Sequence, residues 1–202
     1  MVNILAIGTH FDDVEIGCGG TLLKYADEDT AIHIAVTNSD EARTGVASRR
    51  LSEQNVALEF LRLTLDDLRT FSCYDDAAQI VHTLDEIKPD IIFVPFESDY
   101  HQDHRYTSVI GQAVGRKKHI TTFFYACGST YDFDPNLFSI IDIESKEILL
   151  NCFTSQMEHG AVNLDVIKCR ERYYGSLISD EPDVYAEGFV SRKLLLKENY
   201  YV

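Results

Sequence analysis

Positive charge is scarce in this chain. Its 202 residues hold 18 Lys and Arg against 33 Asp and Glu, a formal net charge of −15, so a polyanion surface meets net repulsion. Nucleic acid and anionic membrane are therefore poor partners. No apolar run reaches the roughly 20 residues of a membrane-spanning helix. The opening MVNILAIG lacks a basic segment and runs straight into a strand pattern, which is not how a secretory leader reads. The expected compartment is the cytoplasm. Cys18, Cys73, Cys127, Cys152 and Cys169 are odd in number, widely spaced and without C-x-x-C, which argues against a disulfide framework or a zinc ribbon and for buried free thiols. Neither G-x-S-x-G nor a Walker sequence occurs, so nucleophilic catalysis finds little support. Repeats, low-complexity segments and Gly/Ser linkers are missing too. With 45% hydrophobic residues, residues 1–202 read as one domain around one core.

What is present alternates. Asn3–Gly8, Ala31–Thr37 and Asp90–Phe96 have the apolar patterning of strands, and Thr64–Cys73 has a weaker version of it. Helical patterning covers Thr21–Asp27, Arg49–Leu63 behind a Ser48 cap, Asp75–Ile87 ending before Pro89, Tyr106–Arg116, Lys146–Glu158 and Val162–Tyr174. Thr121–Ala126 and Phe138–Ile143 read as further strands, and Asp183–Leu196 as extended chain. Asn38–Ser48, poor in large apolar residues and centred on Gly45, reads as a loop at the carboxyl end of the second strand. Strands alternating with helices predict an α/β fold with a mostly parallel sheet and right-handed crossovers.

Two stretches directly after apolar runs carry the chemistry: THFDDVEIGCGG at Thr9–Gly20 and DYHQDHR at Asp99–Arg105. Both fall at carboxyl ends of strands, where α/β sheets keep their sites. An isolated H-x-x-H is weak evidence and an isolated Asp-Asp is usually a solvated turn; two such stretches after two strands weigh more. His10, Asp13 and His104 make an acceptable catalytic zinc set with one position left for water. Asp12 then stands beside the ion without binding it, where a general base belongs. His101 shares a helical face with His104 and can replace it as ligand; the preferred assignment gives His101 the oxyanion, with Asp103 orienting its ring. Gly17, Gly19 and Gly20 start too late after the strand for a nucleotide fingerprint and fit close packing near a helix start. Arg43, Arg50 and Arg105 can reach substrate hydroxyls or phosphate, although each reads equally as a surface or helix-pairing arginine. Tyr100 can contact a sugar or simply pack. Glu187 is as apt to pin a loop as to meet substrate.

HFDDVEIGCGG resembles the H-x-D-D-x-E-x-G-x-G-G signature of the LmbE/PIG-L-type metal-dependent deacetylases, and HQDH resembles their second signature. The spelling DDVEIG is most similar to the subgroup of bacillithiol-biosynthesis deacetylases. Looser likeness extends to Arg50–Gln54 (RLSEQ), Ser155-Gln156 and Tyr185–Phe189 (YAEGF). Phe11 stands where a proline or small residue is commoner, and Val14 displaces the usual glutamate to Glu15. The resemblance implies a Rossmann-like three-layer sandwich, zinc as the usual metal, self-association, and hydrolysis of an N-acetyl group from an amino-sugar conjugate; the donor set of two histidines and an aspartate also accommodates Fe2+. By matching position it implies His10, Asp13 and His104 as ligands, Asp12 as base, and His101 with Asp103 at the oxyanion. Two other readings stay open: hydrolysis of another ester or amide bond, and a catalytically silent sugar- or nucleotide-binding protein on the same fold.

Overall fold

The computed structural model describes residues 1–26, 29–39, 48–72 and 75–193. Arg43, Gly45, Cys73 and most of the expected Asn38–Ser48 loop lie outside them, as do residues 194–196 of the expected extended run. One seven-stranded sheet runs through the described chain in the order β3-β2-β1-β4-β5-β7-β6. Its strands are β1 (Val2–Gly8), β2 (Thr30–Val36), β3 (Leu68–Thr70), β4 (Ile91–Pro95), β5 (Thr121–Tyr125), β6 (Leu137–Ile141) and β7 (Tyr185–Lys193). The first five are mutually parallel; β1 runs alongside β2 from Val2 opposite Thr30 to Gly8 opposite Val36, and beside β4 from Ile4 opposite Ile91. Only β7 runs antiparallel to its neighbours β5 and β6.

Alternation along β1 splits the core. Ile4 and Ala6 pack with α1 (Asp13–Tyr25), α2 (Arg49–Phe60), α5 (Ile143–Leu150) and α7 (Leu164–Ser176) on one face. Leu5 and Ile7 pack with α3 (Ala77–Asp85) and α4 (Gln102–Val114) on the other. The strand order reverses between β1 and β4, which opens a crevice at their carboxyl ends. Both chemistry-bearing stretches emerge there. No helix of the described residues is long and apolar enough to cross a membrane.

Three helices depart from expectation, each for a local reason. The first begins at Asp13, not Thr21, with all three glycines inside it. A Cβ at Gly17 would stand 2.0 Å from the Tyr125 ring, and one at Gly20 2.9 Å from Ile141, so the bare backbone lets α1 lie close on the sheet. The helix α4 begins at Gln102, not Tyr106, because His101 caps it: its Nδ1 accepts the Asp103 amide at 3.2 Å. The single helix expected over Lys146–Glu158 is two, α5 and a short α6 (Thr154–Glu158). Phe153, fully buried at the break, and Glu53, which accepts the Ser155 amide at 2.8 Å, turn the chain between them. The weak third strand shortens to β3 after a 3-10 turn at Leu65–Asp67. Ser48 does cap its helix, accepting from Leu51 N at 3.3 Å.

Glu187 pins a helix. Its carboxylate accepts from Gly20 N and Thr21 N of α1, both at 2.8 Å, and pairs with Lys146 Nζ at 2.6 Å. Lys146 also reaches Ile16 O at 2.9 Å and Glu171 at 2.7 Å.

Candidate metal centre

The turn after β1 is wound by Asp13, the first residue of α1. Its Oδ2 accepts the amides of Thr9 (3.0 Å) and His10 (2.9 Å), which folds the turn back on itself. Asp12, forced between them, takes a φ of 114° that side chains rarely adopt. His10 Nδ1 then lies 3.6 Å from Asp13 Oδ2. From the other side of the switch point, α4 brings His104 Nε2 to 3.5 Å from Asp13 Oδ1. Thr107, one turn further along α4, joins Thr9 (2.8 Å) and Thr37 (2.6 Å) through their hydroxyls and fixes α4 to the ends of β1 and β2. His10 and His104 approach opposite oxygens of Asp13, and one ligand atom from each of the three lies within 4.8 Å of the others, a grouping in keeping with a divalent ion. His10, Asp13 and His104 thus fit one divalent ion.

Two other groupings, His10–His101–Asp103 and Asp99–His104–Cys127, also bring ligand atoms within 4.8 Å of one another. Each shares one histidine with the first set, His10 or His104. Asp99, fully buried, stands 3.1 Å from His104 Nδ1, which leaves Nε2 facing Asp13. Its other acceptor sites take Ser129 Oγ, Thr130 Oγ1 (2.8 Å) and the His101 amide (2.8 Å). Asp103 accepts from Asn38 Nδ2 at 2.8 Å and lies 3.6 Å from His10 Nε2, against 4.0 Å from His101 Nδ1. The His101 ring stacks on His104 with centroids 4.7 Å apart.

The electrostatics follow. Burial alone raises the Asp13 carboxyl, yet hydrogen bonding from His10 and the charges of His104 and His10 overcome it, and Asp13 is held well below the carboxylate range. Asp99 is lowered in the same way, burial being outweighed by His104, Ser129, the His101 amide and Thr130. Asp12 moves the other way: burial, then Asp13 and Glu15, push it well up, against the Gln156 amide and Arg50. Burial also pushes Glu15 up to about 7, although Gln54 Nε2 donates to it at 2.7 Å. Burial and the neighbouring His104 and His10 lower His101. His104 is raised because Asp99 and Asp13 more than offset its burial.

The crevice thus gathers His10, Asp12, Asp13, His101, Asp103 and His104. Arg50, on α2, acts on Asp12 at charge range. Arg105 turns its guanidinium to the backbone carbonyls of Asp99 and Tyr100. Tyr100 stays exposed and packs at a tilt against Tyr131, centroids 4.6 Å apart. Phe11 is buried in the core under α1. Sequence reasoning assigned no role to Asp99, Asn38, Glu53, Gln54 or Gln156. Asp99 carried a signal, a carboxylate just past an apolar run and two residues before His101. Gln54 and Gln156 stood inside the looser matches, without any feature showing that they face Asp12 and Glu15.

Residues 5–114 match the GlcNAc-PI de-N-acetylase (PIG-L) family, more than half of the 202 residues, and the chain belongs to that family. It is similar to the uncharacterized deacetylase YaiS of Escherichia coli K12, 29% identical over 114 residues. That likeness takes in 50% of this chain and 61% of YaiS, so the chain spans about three fifths of the length of this curated relative. Among solved structures, the conserved protein TT1542 of Thermus thermophilus superposes with a TM-score of 0.78 at 24% identity, covering 100% of both chains. The 4-carboxy-2-hydroxymuconate hydratase GalB of Pseudomonas putida KT2440 gives 0.77 at 17%, again over 100% of both. The N,N'-diacetylchitobiose deacetylase of Pyrococcus horikoshii gives 0.71 at 18%, over 94% of this chain and 83% of that one. At these identities the likeness is one of fold.

Proposed function

We propose that this chain is a zinc-dependent hydrolase that removes an N-acetyl or other small acyl group from an amino-sugar conjugate. The observation that carries the reading is the convergence of His10, Asp13 and His104 at the strand switch point, with Asp12 beside them. Those three residues would hold the ion, Zn2+ or alternatively Fe2+, which when bound polarises an acyl oxygen and acidifies water. Asp12 takes the proton of the attacking water. Its place beside the three ligands, buried at the start of α1, is what supports this role. His101 supplies the oxyanion donor: Nδ1 is occupied as acceptor of the Asp103 amide, so the ring proton sits on Nε2, free to donate. Asp103 orients the His10 ring through its carboxylate, 3.6 Å from Nε2, and the His101 ring through its backbone amide, which donates to Nδ1. The proton on Asp12 then passes to the departing nitrogen. Arg50, Arg105, Tyr100 and Arg43 are the proposed substrate contacts on the rim.

The reading extends to a single Rossmann-like three-layer domain acting in the cytoplasm, on a small molecule, as a homo-oligomer. The hydratase among the fold neighbours shows that this fold hosts more than one reaction, so the assay must decide. Metal-loaded protein incubated with a panel of N-acetylglucosaminides should release free amine and acetate. Asp12→Ala should retain bound metal and lose most turnover, whereas His10→Ala should lose both. Release of phosphate, or of acid from esters alone, would replace the reading with another hydrolase; no turnover at all would leave a binding protein. Full activity in Asp12→Ala would remove the base assignment.

A further inference from the structure

Tyr100 is 78% exposed, more than any other Phe or Tyr of the described residues, and the Tyr131 ring lies against it at a tilt of 36°. The chain has no tryptophan, so a broad exposed aromatic surface has to be built from such a pair. One exposed ring by itself means little. This pair differs in how its backbone is tied.

Asp99 and Thr130 form an antiparallel bridge. Tyr100 N donates to Ser129 O at 3.2 Å, and Tyr131 N to Ser98 O at 3.0 Å. Arg105 Nη1 donates to the carbonyls of Asp99 and Tyr100, and the Asp99 carboxylate accepts from Ser129 Oγ and Thr130 Oγ1. Successive residues of extended chain point to opposite sides. The segments that turn Asp99 inward to His104, at 3.1 Å, therefore turn both tyrosines outward. His101, about 3.8 Å further along from Cα to Cα, turns back to the crevice, where its ring stacks on His104. The tyrosines thus stand at the mouth of the candidate centre, on backbone fixed by the same carboxylate that orients His104.

We propose that Tyr100 and Tyr131 form a subsite for an uncharged ring, sugar or aryl, joined to the acyl-bearing sugar, so that the protein favours ring-bearing conjugates over the bare amino sugar. This rests on the hydrolase reading above and deepens it by naming the outer half of the substrate. An acyl group at the ion sets its own sugar in the crevice and the next ring at the mouth. A tyrosine face receives C–H groups or another aromatic ring, and its electron-rich surface offers nothing to a free phosphate or carboxylate. Tyr100 makes the contact. Tyr131, packed against it, is a positioning residue that leaves Tyr100 less side-chain freedom to lose on binding.

The test uses the metal-loaded full chain and three substrates: methyl 2-acetamido-2-deoxyglucoside, the phenyl glycoside, and the disaccharide in which galactose replaces the phenyl group. The quantity read is kcat/KM for each ring-bearing substrate divided by that for the methyl glycoside. Tyr100→Ala should lower this ratio by about 3- to 10-fold, through KM more than kcat, while Tyr100→Phe, which keeps the ring face, should preserve it. Tyr131→Ala should lower it less, and the double alanine variant should do no worse than Tyr100→Ala. A fall for the phenyl glycoside alone assigns the subsite to aryl groups; a fall for the disaccharide alone assigns it to sugars. In chelator, magnetisation transfer from protein to the phenyl protons should be seen with the wild type and lost in Tyr100→Ala, which reads the contact without turnover. A ratio unmoved by Tyr100→Ala while amine is still released would overturn this inference alone. A wild-type chain that frees amine from none of the three would overturn the hydrolase reading and this inference with it.

Discussion

The residues of the centre divide by what stands behind them. His104 meets Asp99, whose buried carboxylate sits at 3.1 Å from its Nδ1, and this partner fixes which nitrogen is offered to a metal. Asp99→Asn keeps the shape and removes the charge. It should weaken zinc binding by about 10- to 100-fold, read by competition with a chelating dye, with the fold intact by circular dichroism. Unchanged affinity would mean that packing alone orients His104. Glu15 makes a different prediction, for the metal-free protein. Its carboxyl moves from 4.5 to about 7 on folding. Below pH 4.5 it is protonated folded or unfolded and contributes nothing; between 4.5 and 7 only the unfolded chain releases the proton, so stability falls as pH rises through that window. Above about 7 the penalty is complete, on the order of 3 kcal/mol. Denaturant titrations in chelator should therefore show Glu15→Gln gaining on the wild type between pH 4.5 and 7 and holding the gain above it. Parallel stability curves for the two proteins would refute the assignment.

At the scale of elements, legibility in the sequence followed how local the cause was. The strands and the cap at Ser48 could be read because apolar runs and capping hydroxyls act within a few residues. The start of α1 could not. GCGG reads as a helix breaker from propensity, since each interior glycine costs about 1 kcal/mol relative to alanine; what overrides it is Tyr125, more than a hundred residues away. The two His- and Asp-bearing stretches were visible as spellings, yet the places of Gln156 and Glu53 were not, because they come from α6 docking against α2. The glycines can be tested directly. Gly17→Ala should gain in helix propensity and lose more to overpacking, because the Tyr125 ring is held by its hydroxyl donating to Ile7 O at 2.8 Å. A net loss of about 1–2 kcal/mol is expected, seen as a lower denaturant midpoint. Combined with Tyr125→Leu, the loss should be smaller than the sum of the two singles. Strict additivity would show that the two residues do not press on each other.

For the molecule as a whole, the family match ends at residue 114, but the site does not stand on that part alone. Lys146 from α5, Glu171 from α7 and Glu187 from β7 converge, fully buried, on Ile16, Gly20 and Thr21 of α1. Asp12 and Asp13 begin that same helix. The antiparallel edge of the sheet is thereby coupled to the rim where His10, Asp13 and His104 lie, and Arg170 joins the coupling through Glu171 (2.9 Å) and Ile16 O (2.8 Å). Removing one member of a buried ion cluster leaves its partners charged and unpaired, typically at a cost of about 3–5 kcal/mol, whereas replacing the whole set by apolar groups is often neutral. Lys146→Met should thus destabilise the fold by about that amount, while Lys146→Met with Glu187→Gln should recover part of it, since the glutamine leaves no unpaired buried charge, although its single oxygen can replace only one of the two acceptors that serve Gly20 N and Thr21 N. Urea titrations of the three proteins with unchanged m-values measure this directly. A double variant as unstable as Lys146→Met would show that the lysine holds α1 through Ile16 O and Glu171 rather than by neutralising Glu187.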